Sequence, residues 1–262
     1  MTSVSVVIPA KNEEETLPRV LDDLNVVLPQ LHAAGYETEV IVVDDRSTDR
    51  TAELARARGA RVVANPRRSG KGMALRAGFE AATGSIIAML DADYSHRAEE
   101  LPLFLEAIAR ENVGLVIGSR VVGGSEEYHH VRALGNVFLS AALGLATGRY
   151  LSDALNGFKV FRREVFADFR YTSINFEIEI EIIANTMRKG YRIVEVSSHE
   201  RARAGGEMKS RVIRHGTRFL LRIIWEGMRG VKRGSAGTVN EPVQVPAVDV
   251  DAREPGRKAR AG

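Results

Sequence analysis

Five apolar runs of strand length punctuate the first half of the chain, and the stretches between them have helical length and pattern. The runs are Ser3-Val4-Ser5-Val6-Val7-Ile8-Pro9, Glu39-Val40-Ile41-Val42-Val43, Arg61-Val62-Val63-Ala64, Ser85-Ile86-Ile87-Ala88-Met89-Leu90 and Val113-Gly114-Leu115-Val116-Ile117-Gly118. Near-continuous apolar runs belong to strands buried on both faces. Helices are read at residues 13–34, 51–58, 71–82 and 99–111, the first opening with acidic residues where the helix dipole favours them. This β-α-β rhythm predicts an α/β fold, a Rossmann-like, mostly parallel sheet with helices on both faces. Ligands of such sheets bind outside the carboxyl ends of the strands.

Two of those ends carry carboxylates: Asp44-Asp45 after the second run and Asp91-Ala92-Asp93 after the fourth. An isolated Asp-x-Asp is most often a solvated turn or a helix cap. Two pairs converging on one crevice argue for a site. Aspartates one residue apart repel unless a cation lies against them, and oxygen ligands suit Mg²⁺ or Mn²⁺, which would clamp a diphosphate. A nucleotide is the economical ligand, with the first pair on base or ribose and the second on the metal. Other nucleotide motifs fail. Gly70-Lys71-Gly72 lacks the hydroxyl residue of a phosphate loop, and Pro9-Ala10-Lys11-Asn12-Glu13 stands where a dinucleotide fold has its glycines.

Beyond Gly118 the rhythm breaks. Residues 133–148 form an uncharged stretch that reads equally as a buried core helix or a lipid-facing one, too short and polar to span a membrane. A turn and short strand follow within residues 153–163, then a helix from Asn175 to about Lys189 and a strand at residues 191–197. Residues 209–233 hold eight Lys or Arg against Glu226 alone, with Arg211, Arg214, Arg218, Arg222 and Arg229 on one helical stripe. That pattern fits either a helix on an anionic membrane surface or a packed helix with a solvated charged face. The organisation read is a catalytic domain over residues 1–208, a basic amphipathic helical extension over 209–233 and a disordered tail over 234–262. With 262 residues the chain can bury one sizeable core, and it contains no cysteine, which excludes thiolate chemistry and disulfides. No secretion signal is evident.

Taken in order, the sequence resembles family 2 of the inverting glycosyltransferases, and within it the polyprenyl-phosphate (dolichol-phosphate) mannose or glucose synthases. The matching segments are Val7-Ile8-Pro9-Ala10-Lys11-Asn12-Glu13-Glu14, Val43-Asp44-Asp45-Arg46-Ser47-Thr48-Asp49-Arg50-Thr51, Gly70-Lys71-Gly72, Asp91-Ala92-Asp93, Gly118-Ser119-Arg120, Asn156-Gly157-Phe158 and Arg203-Ala204-Gly205-Gly206-Glu207-Met208-Lys209. The resemblance implies a GT-A fold, a nucleotide-sugar donor such as GDP-mannose or a UDP-hexose, and Mg²⁺ or Mn²⁺ on Asp91 and Asp93. It implies a donor and phosphate site of Pro9, Ala10, Glu13, Asp44, Asp45, Lys71, Asp91, Ala92, Asp93, Arg120, Arg132, Arg203 and Lys209, with Asp93, Arg120 and Arg203 closest to the reaction. It further implies a polyprenyl-phosphate acceptor met at a membrane, from the cytoplasmic side and peripherally. An anionic acceptor needs no general base but does need cationic anchors. Lys11, Ser95, Asn136 and Met208 depart from the mannose-synthase pattern, so the sugar and the base stay open. Transfer to a soluble acceptor is the alternative enzyme reading, and non-catalytic binding of a nucleotide sugar or an anionic surface is the other. Nucleic acid is disfavoured, because the basic stripe lacks a stacking platform and the aspartates would repel phosphate.

Overall fold

The computed structural model describes residues 1–126, 130–202 and 212–231, and gives no side-chain surroundings for residues 130–132 and 212–215. Arg203, Met208, Lys209, Arg211, the side chains of Arg132 and Arg214, and the C-terminal tail therefore lie outside the described residues.

Seven strands form one sheet: β1 (Thr2–Ala10), β2 (Tyr36–Asp44), β3 (Arg61–Ala64), β4 (Ile86–Met89), β5 (Val113–Ser119), β6 (Lys159–Arg162) and β7 (Arg192–Ser197). Their order is β3-β2-β1-β4-β6-β5-β7. All neighbours run parallel except β6, which is antiparallel to both β4 and β5. Successive side chains of a strand face opposite layers. Val4, Val6 and Ile8 of β1 join one core with helices α1 (Leu17–Ala33), α2 (Thr51–Ala57) and α4 (Leu101–Ile108). Val7 joins the other, with α3 (Lys71–Ala81), α6 (His130–Thr147), α8 (Ile178–Arg188) and α9 (Val212–Met228). Two short turns complete the helices, α5 (Arg120–Gly123) and α7 (Arg163–Phe166).

The chain winds from β1 outward to β3, then returns to place β4 on the other side of β1. The crevice of such a sheet lies at this reversal, outside the carboxyl ends of β1 and β4. The antiparallel β6 begins at the same edge, bringing Gly157 beside Asp91.

Helix α1 begins at Leu17 rather than at Glu13. Pro18 suits a first turn, where its missing N–H is not needed. The preceding N–H groups go to the β2–α2 loop instead: Asn12 to Ser47 Oγ at 3.1 Å, Glu13 to Thr51 Oγ1 at 2.8 Å and Glu14 to Asp49 Oδ2 at 3.2 Å.

Helix α9 is not a detached extension, because Phe219 and Ile223 are buried in the core beside α6 and α8. Its charge distribution differs from the sequence reading. Arg222 pairs with Glu181 and, at 2.8 Å, with Glu226, while Arg218 lies 3.7 Å from Glu177. The outward face carries Leu221, Ile224, Trp225 and Met228, all exposed. The buried Glu181 of α8 and Glu226 of α9 draw Arg222 inward, and the apolar positions beside it turn to the surface. Helix α6 likewise exposes Leu134, Val137, Phe138 and Leu145. These residues recur at helical spacing and form one stripe on each helix. No helix among the described residues is long and apolar enough to cross a membrane.

Candidate active site

Asp44 and Asp45 both end β2, but the backbone turns them to different tasks. Asp45 is 5% exposed, and it accepts from Asn65 Nδ2 at 2.6 Å, Ser69 Oγ at 2.7 Å and Gly70 N–H at 2.9 Å. It shapes the loop that leads into α3. Asp44 is half-buried, accepts from the Ser47 N–H at 3.0 Å, and is the member of the pair that the crevice can reach. Pro9 and Ala10 contribute backbone, with Ala10 O accepting from the Asp45 N–H at 2.8 Å. Glu13 Oε2 accepts from Thr16 Oγ1 at 2.9 Å. Lys11 donates to Ser69 Oγ at 2.8 Å and thus reaches the same loop.

After β4 the chain makes a tight turn through Asp91-Ala92-Asp93-Tyr94, with Tyr94 at φ 65°. This left-handed backbone is uncommon outside glycine and recurs in Asn12 at φ 53° and Arg46 at φ 65°, the turns after β1 and β2. Strain at three strand ends that face one crevice is typical of functional sites. Two guanidinium groups lie over the Tyr94 ring, Arg201 at 4.6 Å and Arg19 at 5.9 Å from its centre. Ser95 donates to Asp93 Oδ1 from its N–H at 3.2 Å and its hydroxyl at 2.6 Å, which fixes the second carboxylate of the motif.

Asp91 is met by a lysine and a histidine from within the protein. Lys71 Nζ lies 2.6 Å from its Oδ1, and His96 Nε2 stands 3.5 Å from its Oδ2. A Cβ on Gly157 would collide with the same carboxylate. Burial alone would raise the Asp91 carboxyl; the Lys71 charge and His96 outweigh it and hold it far below the usual carboxylate range. Lys71 is shifted upward for the complementary reason, burial being overcome by Asp91 and Glu179.

Arg120, at the end of β5, presents its fork to the fully buried Asp153, Nε to Oδ2 at 2.7 Å and Nη2 to Oδ1 at 2.8 Å. Its Nη1 meets Glu200 Oε1 at 3.0 Å, and Asn136 Nδ2 adds a bond to Asp153 Oδ1 at 2.8 Å. The guanidinium is thus matched by two carboxylates, so its first task is to join β5, the 152–156 turn and the segment after β7. Arg201, on that segment, donates its N–H to Ser95 O at 2.9 Å and pairs with Asp23 at 2.7 Å and Glu99 at 2.8 Å. It closes this side of the Asp91–Asp93 turn, two residues before Arg203.

The structure therefore brings Pro9, Ala10, Glu13, Asp44, Asp45, Lys71, Asp91, Ala92, Asp93 and Arg120 to one edge of the sheet. Five residues of that edge escape the sequence reading: His96, Asp153, Lys159, Glu179 and Glu200. Two carried a signal. Lys159 interrupts the apolar run Phe158-Lys159-Val160-Phe161, and Glu179 stands between Ile178 and Ile180. A charge in a buried run demands an opposite charge elsewhere.

A mostly parallel sheet with one antiparallel strand, and an aspartate motif at its topological reversal, defines the GT-A class of glycosyltransferase folds. The sequence profile of glycosyl transferase family 2 matches residues 5–170, more than half of the chain, and the chain belongs to that family. It is 32% identical over 236 residues to a dolichol-phosphate mannosyltransferase of Pyrococcus furiosus, covering 86% of this chain and 64% of that protein. It is 31% identical over 245 residues to an undecaprenyl-phosphate mannosyltransferase of Micrococcus luteus, covering 86% of this chain and 97% of that one. Among solved structures, glucosyl-3-phosphoglycerate synthase of Mycobacterium tuberculosis, in complex with Mn²⁺, UDP-glucose and phosphoglyceric acid, superimposes with a TM-score of 0.69. The two are 27% identical, and the match covers 86% of this chain and 80% of that one.

Proposed function

We propose that this glycosyltransferase moves a hexose from a nucleoside-diphosphate sugar to a polyprenyl phosphate at a membrane surface, with inversion at the anomeric carbon. One observation carries the choice of acceptor. Helices α6 and α9, packed on the sheet layer that also holds Lys71 and Glu179, expose eight large apolar side chains in two stripes. Large exposed apolar surface marks an interaction site. Stripes of this kind on helices too short to span suit peripheral contact with the acyl boundary. The names of the two mannosyltransferase relatives support the same acceptor class. Contact from the cytoplasmic side follows as part of the proposal.

A divalent cation fits the aspartate motif. Asp91 and Asp93 offer hard oxygen donors, while no cluster of three or more potential protein ligands occurs among the described residues. That is the donor set expected when substrate phosphates complete the coordination of Mg²⁺ or Mn²⁺. When bound, the cation neutralises charge growing on the departing diphosphate. The chain's own residues do the rest. Asp44 accepts from base or ribose N–H or O–H groups, and Lys71 places a positive charge beside the phosphates. Arg132, Arg203 and Lys209 are assigned to the acceptor and donor phosphates. A phosphate oxygen then bonds to the anomeric carbon as its bond to the diphosphate oxygen breaks, and the nucleoside diphosphate leaves with the electron pair. No proton needs to be removed. Asp153, the buried carboxylate at this end of the crevice, is consistent with that. Burial pushes it up, Arg120 more than offsets this, and its lowered affinity for protons makes it a poor base.

The glucosyl-3-phosphoglycerate synthase likeness favours a second reading, a soluble phosphorylated acceptor. The apolar stripes discriminate. A Leu221→Glu/Trp225→Glu variant is expected to keep its melting temperature and nucleoside diphosphate binding, yet to lose glycolipid formation from acceptor embedded in anionic vesicles. Each large apolar side chain is worth roughly 1.5–3 kcal/mol when fully withdrawn from water. Losing two should lower vesicle partitioning by about a hundredfold or more. Unchanged partitioning and turnover would remove the membrane reading.

A further inference from the structure

Lys159, the first residue of β6, is a fully buried lysine, and Glu179 is 1% exposed on α8. Neither has a place in the mechanism above. Lys159 Nζ meets Glu179 Oε2 at 2.6 Å and also donates to Asn156 O. The other oxygen, Glu179 Oε1, lies 3.2 Å from Lys71 Nζ, whose opposite partner is Asp91 at 2.6 Å. Two lysines and two carboxylates thus alternate in one row, from the start of β6 to the aspartate motif.

The row is built to hold its geometry. Gly70 and Gly72 flank Lys71, and a Cβ on Gly72 would sit 2.7 Å from Asn175 O and 2.8 Å from Ser173 O. The absence of those side chains lets the segment before α8 press on the turn, where the Met73 N–H donates to Ile174 O at 3.2 Å. Lys71 is the first residue of α3, where the helix dipole disfavours a cation, so its position has to be enforced by carboxylates.

We propose that Glu179 is a positioning residue for donor binding: braced by Lys159, it keeps the Lys71 ammonium at the end of β4 while Lys71 exchanges Asp91 for a diphosphate oxygen. This rests on the nucleoside-diphosphate-sugar reading of the site. An ammonium has three N–H donors and can keep one carboxylate while changing another partner. Once Asp91 turns to a divalent cation, Glu179 is the remaining negative partner of Lys71. Without it, a half-buried lysine would lose its counter-charge at the moment the phosphates arrive, a costly state. Glu179 touches no substrate and acts through Lys71 alone.

The test is a double-mutant cycle read by calorimetric binding of GDP and of UDP in the presence of Mn²⁺, with thermal melts alongside. Lys71→Met and Glu179→Gln are each expected to weaken binding about tenfold, within the coupling range of residues in direct contact. In the Lys71→Met background, Glu179→Gln should add nothing. A Glu179→Gln penalty that is the same in both backgrounds would overturn the proposal and leave Glu179 a structural counter-ion of Lys159. If Glu179→Gln does not fold, Lys159→Met/Glu179→Gln preserves the charge balance of the row and should show the same weakening, again absent beside Lys71→Met. Failure of the wild-type chain to bind either diphosphate is a distinct outcome, and it would overturn the donor-site reading together with this one.

Discussion

Replacing Asp153 by asparagine changes one atom of a fully buried side chain and tests the joint around Arg120. Four donors converge on its two oxygens: Arg120 N–H at 3.0 Å, Nε at 2.7 Å and Nη2 at 2.8 Å, and Asn136 Nδ2 at 2.8 Å. An amide turns one of those oxygens into a donor facing donors and removes the nearer counter-charge. Hydrogen bonds to charged groups are worth about 1.5–3 kcal/mol each, and a broken buried pair costs about 3–5 kcal/mol. Glu200, 3.0 Å from Nη1, remains to compensate, which places the loss near the lower bound, about 3 kcal/mol. At this size that lowers the melting temperature by roughly 6–12 °C. The pH dependence carries a sign. The Asp153 carboxyl lies below its ordinary value in the folded state, so its stabilisation is complete above the unfolded pKa of about 3.9 and is lost as pH falls through the folded one. Melting of wild type and Asp153→Asn should differ by a constant amount from neutral pH to about 5, with the gap narrowing as pH falls below about 4. A loss below about 2 °C, or a gap unchanged down to pH 3, would refute the ionised pair as the source of the stability.

Asp93→Ala should abolish transfer while leaving the fold intact; near-normal turnover with Mn²⁺ would exclude its role at the cation. Gly72→Ala should cost roughly 1–3 kcal/mol by forcing the 173–175 backbone off the α3 turn, and it should weaken nucleoside diphosphate binding by displacing Lys71. Removing the residues after Gly234 should leave turnover unchanged, measured on the same acceptor, and a large loss would make the tail part of the enzyme.

The fold was legible because short apolar runs separated by helical stretches announce parallel strands, even at the half-exposed edge strand β3. β3 spans residues 61–64 as read, and the runs ending at Val43 and Leu90 correspond to strands that deliver the carboxylates after them to one edge. What could not be read was division of labour among like residues. Asp44 and Asp45 are equivalent in sequence; only the distant Asn65, Ser69 and Gly70 decide that Asp45 is consumed by a loop. Arg120 reads as a phosphate anchor until Asp153 and Glu200, far along the chain, are seen to share it. The α9 stripe misled for the same reason. Arg222 looks solvated until α8 supplies Glu181, and then the apolar positions become the exposed face. Periodicity reports burial along one element, whereas charge pairing is a property of elements remote in sequence.

The central claim, transfer to a lipid phosphate, is tested most directly by nucleoside diphosphate release from GDP-mannose, UDP-glucose and UDP-N-acetylhexosamines, each with Mn²⁺ or Mg²⁺. Every donor is paired with a short polyprenyl phosphate or with 3-phosphoglycerate, and glycosylated product is scored in parallel. Release from one donor is expected, dependent on the polyprenyl phosphate and matched by glycolipid. Release that follows 3-phosphoglycerate, or proceeds equally without lipid, would contradict it and assign the enzyme to a soluble acceptor.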